Sequence, residues 1–267
     1  MGGVLFLLVP VSAGFSVALV AVKANSAAAI AALSVFGSLL VLIAVGKEGP
    51  LCAAMAFPLL LAGLLIGLGI GVLVRKFLLR SSKNQSTTTG MFLLLVPLLL
   101  AAGERIETPS LARPRTEVIQ TSIKISQSPD WTWNQILSID NVQASKPMLM
   151  YIGLPIPERC VMNGRGVGAK RTCYFNAGYI EETVTEWNPP YHLGLSIDRT
   201  HMPGRHWLGF ESAEYNLRTM GSDTLLTRRT TVLSYLHPTW YWRPLERFGV
   251  ESEHVYILRD LARRAKP

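Results

Sequence analysis

Four apolar runs fill residues 1–103, a stretch with only six basic residues (Lys23, Lys47, Arg75, Lys76, Arg80, Lys83) and one acid, Glu48. Nothing constrains the fold more, because a water-soluble globule needs a polar surface. About a quarter of an ordinary soluble chain is charged, against 16% of these 267 residues. Residues 3–22 form an unbroken apolar run of the length needed to cross a hydrocarbon core at about 1.5 Å per residue. No charge precedes Val4, so the basic start of a secretory signal is missing and the run reads as an uncleaved helix. Residues 27–45 and 51–74 make a second and a third span. In the third, Gly67, Gly69 and Gly71 either let another helix approach closely or reflect the frequency of glycine in membrane helices.

Arg75, Lys76, Arg80 and Lys83 form the densest short basic connection, which the positive-inside rule places in the cytoplasm. Counting back, the Lys47–Glu48 loop is outside, Lys23 inside and the N-terminus outside. The fourth run, 91–102, carries Pro97 and reaches spanning length if the uncharged residues 85–90 join it. Read as crossing over 86–103, it makes a four-span protein of the cell (inner) membrane with the C-terminal domain extracytoplasmic. If that run only lies in the interface, the domain is cytoplasmic.

Residues 104–267 hold 20 basic and 17 acidic residues, so the excess positive charge belongs mostly to the connections between apolar runs and gives no reason to expect a nucleic-acid partner. About 160 residues can bury one core. Pro109 and Pro114 mark residues 104–115 as a linker, dividing the chain into a membrane domain (1–103), the linker and a domain over 116–267. Alternation over 116–126 predicts a strand. Ser128, Pro129 and Asp130 then read as N-cap, first helical position and first turn of a helix into Leu137, and residues 138–157 hold turns around a short helical piece. Six strands are expected at 158–163, 170–175, 179–187, 191–198, 206–217 and 223–236, separated by Gly164/Gly166/Gly168, Gly178, Pro189–Pro190, Pro203–Gly204 and Gly221–Ser222. Residues 238–266 show helical periodicity: Val250, His254, Ile257, Leu258 and Leu261 share one face, flanked by Phe248, Val255 and Ala262. Arg243, Glu253, Arg259, Asp260 and Arg263 lie mostly elsewhere. The plan is α+β, a sheet wrapping one long C-terminal helix.

The stretch Gly166 to Phe175, then Glu181, the run Val184-Thr185-Glu186-Trp187 before Pro189-Pro190, and Tyr241-Trp242-Arg243 opening the last helix resemble the polyketide cyclase/dehydrase branch of the START-like superfamily, over about residues 116–264. The resemblance implies a helix-grip fold, in which a curved antiparallel sheet and the C-terminal helix enclose an elongated apolar cavity. It leaves the chemistry open among lipid carriers, ligand sensors and cyclases. If the next hairpin turns around Asn176, Arg171 and Glu181 fall opposite each other on the face that carries Cys173; the resemblance places an arginine and an acid at these positions, read as an ion pair holding two strands together, with direct ligand contact as the other reading.

A hairpin centred between Gly166 and Val167 sets Cys160 opposite Cys173, close enough for a disulfide; the other reading is two small buried residues. Cys52 has no partner in sequence, and no thiol–histidine spacing suits a metal, so neither metal nor cofactor is expected. Arg228 and Arg229 are adjacent, so one of them faces the concave side, where an acid such as Glu211 or Glu214 can neutralise it. Arg247, Glu251 and His254 align at i, i+4, i+7, and a buried imidazole beside a carboxylate is a candidate acid or base. A satisfied core histidine is the plainer reading. Candidates for the cavity wall are Trp187, Arg229, Val250, His254 and Ile257; Glu251 and His254 are the weak catalytic candidates. The expected function is a membrane-anchored module binding a lipid or other apolar small molecule, with two alternatives: a cyclase/dehydrase-type enzyme and a sensor or assembly subunit.

Overall fold

The computed structural model describes residues 2–20, 24–46, 48–79, 85–202 and 207–265. Expectations for Lys23, Lys47, Arg80, Lys83, the Pro203–Gly204 turn and Lys266 fall outside those residues. The chain divides into two units, residues 1–113 with 235–240 and residues 114–234 with 241–267.

The N-terminal unit is helical. A π-helical turn, Val4–Leu8, leads into α1 (Val9–Val20), followed by α2 (Ala24–Ala44), α3 (Pro50–Val74) and α4 (Gln85–Leu111). Among the described residues, two segments, Pro50–Phe77 and Thr89–Pro109, are long and apolar enough to cross a membrane, and the stretches Val4–Val20 and Ala29–Ala44 are shorter apolar helix. Leu33, Leu94 and Leu98 are each exposed by about two thirds of their surface. Glu107, near the end of α4, accepts hydrogen bonds from the backbone N–H groups of Gly3 and Val4, which have no partner in the first turn. Residues 104–111, expected to be linker, are therefore helical. Pro109 costs that helix one backbone bond, but it sits in the last turn, where the helix is about to end.

Close approach of α1 to α3 depends on glycine. A Cβ on Gly67 would lie 1.9 Å from the Val11 carbonyl oxygen, and one on Gly14 would lie 2.1 Å from that of Leu64. Around Gly69 a Cβ would meet nothing within 4 Å, so the glycine series is a packing device at Gly67 and not at Gly69. Gly67→Ile is expected to lower the stability of the bundle by about 1 to 3 kcal/mol through overpacking, while Gly69→Ile leaves it unchanged. The midpoints of both variants in a denaturing-detergent titration check this.

The C-terminal unit runs β1 (Arg115–Ile125), α5 (Pro129–Leu137), α6 (Met148–Ile152), β2 (Pro157–Asn163), β3 (Lys170–Phe175), β4 (Gly178–Asn188), β5 (His192–His201), β6 (Leu208–Met220), β7 (Asp223–Ser234) and α7 (Thr239–Arg264). Ser128 caps α5 as expected, its hydroxyl accepting from the Trp131 N–H at 3.3 Å. The strands form one antiparallel sheet in the order β1-β7-β6-β5-β4-β3-β2. Register shifts at 181/182, 184/186 and 210/212 are the bulges that bend and twist strands. Against β1 and β7 lies α7, so the unit has the helix-grip architecture. One expectation for that helix fails. Asp260, placed off the apolar face, is fully buried, accepting from the Gln143 N–H at 2.9 Å and from Arg263 and Arg264 at 3.0 and 2.7 Å. Its charge is matched by two guanidiniums, which is what allows it inside.

Candidate functional site

The inner face of the sheet carries two separate apolar clusters. One gathers Ile119, Val232 and Val250 with Leu208 and Phe210. The larger holds Ile125, Trp133, Leu193, Tyr215, Leu226, Ile257, Leu258 and Leu261 among others, with Trp187 packed on it. Three elements, α7, β7 and β1, pass through both clusters and are polar in between. Along α7, Glu253 and His254 separate Val250 from Ile257; along β7, Arg228 and Thr230 separate Leu226 from Val232; along β1, Thr121 separates Ile119 from Ile123. The row Tyr215–Arg228–Thr121 is fixed by register across β6, β7 and β1. From the far side, Arg171 on β3 and its partner Glu182 on β4 reach the same place.

Geometry within this polar layer is specific. Arg171 Nη1 donates to Glu182 Oε2 at 3.2 Å, both groups being almost wholly buried. Arg228 Nη1 donates to the Glu253 carboxylate at 3.1 Å. The two guanidiniums each lie 5.6 Å from the centre of the Tyr215 ring, within cation–π range. His254 is fully buried, with Nε2 2.8 Å from the Thr230 hydroxyl and Nδ1 3.2 Å from that of Thr121. Three buried nitrogens, Arg171 Nε, Arg171 Nη2 and Arg228 Nε, make no hydrogen bond of good distance and angle, although the Tyr215 hydroxyl is near enough to Arg171 to help raise its pKa. A buried donor left without a partner costs about 1 to 3 kcal/mol.

Burial sets the electrostatics. It works against the charge of Arg171, but Glu182 and Tyr215 outweigh it and raise the guanidinium's pKa. Arg228 is likewise raised: Glu253, Tyr215 and Glu182 together overcome desolvation. Burial pushes the Glu182 carboxyl up, while Arg171 and Arg228 hold it down. Desolvation and then the charge of Arg228 drive His254 down to about 2. His254 is a neutral imidazole bridging two hydroxyls.

Several expectations for the site change accordingly. The partner of Arg171 is Glu182, not Glu181; the hairpin closes on the Phe175–Gly178 pair, and Glu181 faces outward between Thr172 and Arg199. A one-residue slip in register moves a side chain to the opposite face. Of the adjacent arginines, Arg228 points inward. Arg229, offered as a ligand contact, lies on the outer face with Glu214, 3.5 Å away and half exposed. The neutralising acid inside is Glu253, contributed by the helix. Glu251 belongs to a surface pair with Arg247 at 2.9 Å and does not approach His254, so the expected acid–base stripe is not assembled. Val250 and Ile257 are buried in different clusters, and Trp187 stands edge-on to Trp133 with ring centres 5.1 Å apart. Thr121, Thr230, Tyr215 and Glu253 had no role from sequence. Only the side-by-side placement of polar positions on three inward-facing stripes could have found them.

Cys160 and Cys173 pair directly across the β2–β3 hairpin and are joined in a disulfide. The Cys173 sulfur lies 3.7 Å from Glu182 Oε2, a packing contact, since a disulfide has no S–H to donate. Replacing both cysteines with Ala is expected to cost somewhat less than the roughly 3 kcal/mol of a 15-residue loop. Peptide mapping under non-reducing conditions should return residues 160 and 173 in one linked pair; two freely alkylated thiols would reject the bridge. Among the described residues no cluster of His, Cys, Asp and Glu could hold a metal.

No family model matches the chain, and no curated protein does. Solved structures do resemble it. The Zhui aromatase/cyclase from Streptomyces sp. R1128 is 14% identical, covering 57% of this chain and 94% of its own, with a TM-score of 0.40. A START superfamily protein from Mycobacterium smegmatis is 9% identical over 55% of this chain and 96% of its own, also at 0.40. Major latex-like protein 151 from Panax ginseng is 13% identical over 57% and 99%, at 0.38.

Proposed function

We propose that this is a membrane-anchored binding protein whose helix-grip domain holds a lipid or other apolar small molecule between α7 and the sheet. The body of the ligand lies on the apolar clusters and its polar end meets the Arg171–Arg228 layer. The observation that carries this reading is the set of N–H groups on Arg171 and Arg228 without a well-formed hydrogen bond, sited where two apolar clusters meet. Apolar walls with a few aimed polar groups are what small-molecule sites are made of. In favour of the anchor are the apolar segments of the N-terminal unit and their outward-facing leucines. The full arrangement proposed is four spans, with the basic connection around Arg75 and Lys76 in the cytoplasm and the domain outside, where a disulfide persists.

Two experiments test it. Full-length protein extracted in mild detergent and examined by native mass spectrometry should retain an apolar small molecule; a ligand-free mass under conditions that preserve the fold would count against binding. Reporter fusions after residue 82 and after residue 267 should report opposite sides of the membrane. Both on one side would defeat the four-span arrangement while leaving the binding site intact.

A further inference from the structure

We infer that the polar end of the bound molecule is an uncharged carbonyl-type acceptor, as in an ester, ketone or amide, and not a free carboxylate or phosphate. This rests on the binding reading above and makes it more specific. Charge in the layer is already balanced. Arg171 faces Glu182 at 3.2 Å, Arg228 faces Glu253 at 3.1 Å, and His254 is held between two hydroxyls. Hydrogen bonding is not balanced. In the layer, the buried side-chain atoms without a well-formed hydrogen bond among the described residues are all donors: Arg171 Nε and Nη2, and Arg228 Nε. What is missing is a lone pair without a charge.

Stereochemistry sharpens this. The Nε–H and Nη2–H bonds of a guanidinium leave one edge side by side, and on Arg171 both nitrogens of that edge lack a well-formed hydrogen bond, because Glu182 takes Nη1 and the Tyr215 hydroxyl stands near without one. One carbonyl oxygen, with two lone pairs, can accept from both. A carboxylate fits the same edge in shape, but it would place a third negative charge beside Glu182 and Glu253 with no third cation, in an interior where an uncompensated charge is costly. An amine or ammonium brings more donors to a place that lacks acceptors. Both threonine hydroxyls hydrogen-bond to His254, and neither partners the three arginine nitrogens.

The test is a competition on full-length protein in mild detergent, in mildly alkaline buffer, with methyl palmitate, palmitate and hexadecane at equal concentration, read by native mass spectrometry. Methyl palmitate should be retained over palmitate by about tenfold or more, the ratio that corresponds to about 1.4 kcal/mol. Palmitate retained equally or better overturns the carbonyl assignment and leaves apolar binding standing. Hexadecane retained as well as the ester shows that the arginine edge contributes nothing, and overturns the assignment in the other direction. None of the three retained overturns the binding reading and the assignment with it. Arg171→Lys keeps a cation for Glu182 but removes the two-donor edge, and should bring the ester-to-hexadecane ratio close to one. The wild-type competition decides the matter even if that variant does not fold.

Discussion

Arg171→Met should destabilise the C-terminal unit by about 3 to 5 kcal/mol, because it strands Glu182 as a buried carboxylate beside the Cys173 sulfur. Arg228 also lowers the Glu182 pKa, but its direct hydrogen bond goes to Glu253, so Glu182 keeps no hydrogen-bonded cation. The double variant Arg171→Met/Glu182→Met should recover most of that loss. It removes cation and anion together, leaves no charge to solvate, and fills the space with flexible apolar side chains. Denaturant unfolding of the full-length protein in detergent, followed by tryptophan fluorescence, measures both. Equal losses in the single and double variants would mean that the pair does not act as a unit.

The pH dependence of stability gives the second large effect. His254 has a folded-state value of about 2 against an ordinary 6.5. Between those values the unfolded chain binds a proton at this position and the folded chain does not, so the difference in bound protons makes stability rise with pH. Above 6.5 both states are neutral at this residue and the contribution is flat. As pH falls below 6.5, stability should drop by about 1.4 kcal/mol per pH unit on account of this one group. His254→Gln keeps one donor and one acceptor for Thr121 and Thr230 but does not titrate. Below pH 6.5 the variant should therefore lose stability less steeply than the wild type, by about one proton's worth of slope. Carboxylates titrate in both proteins and cancel in the difference. Parallel pH profiles would show that His254 charges freely and is not enclosed.

Much of this fold is legible in the sequence, for identifiable reasons. Strand limits fall within three residues of expectation wherever glycine or proline forces the turn, as between Asn163 and Lys170, where Gly164, Gly166 and Gly168 all have positive φ. That same turn fixes the Cys160–Cys173 pairing. The next hairpin lacks such a constraint: Asn176 and Ala177 form its loop, and centring the turn on Asn176 alone shifts the register enough to choose Glu181 in place of Glu182. Arg228 and Arg229 are chemically identical, and only the pairing of Arg228 with Tyr215 and Thr121 says which is inside. On the helix, a wheel sorts residues by hydropathy, so Glu253 and Asp260 look like solvent positions; each is drawn inward by an arginine from elsewhere in the sequence or the next turn. Buried polar groups are set by partners distant in sequence, which local pattern cannot see.

The central claim is that Arg171 and Arg228 receive the polar end of an apolar molecule inside the helix grip. A high-resolution cryo-electron microscopy map of the full-length protein, purified in mild detergent without added ligand, tests it most directly. The expected result is elongated density between α7 and the sheet, ending within about 3 Å of Arg171 Nε and Nη2. Isolated waters on those nitrogens, with side chains closed around them and no further density in the interior, would contradict it.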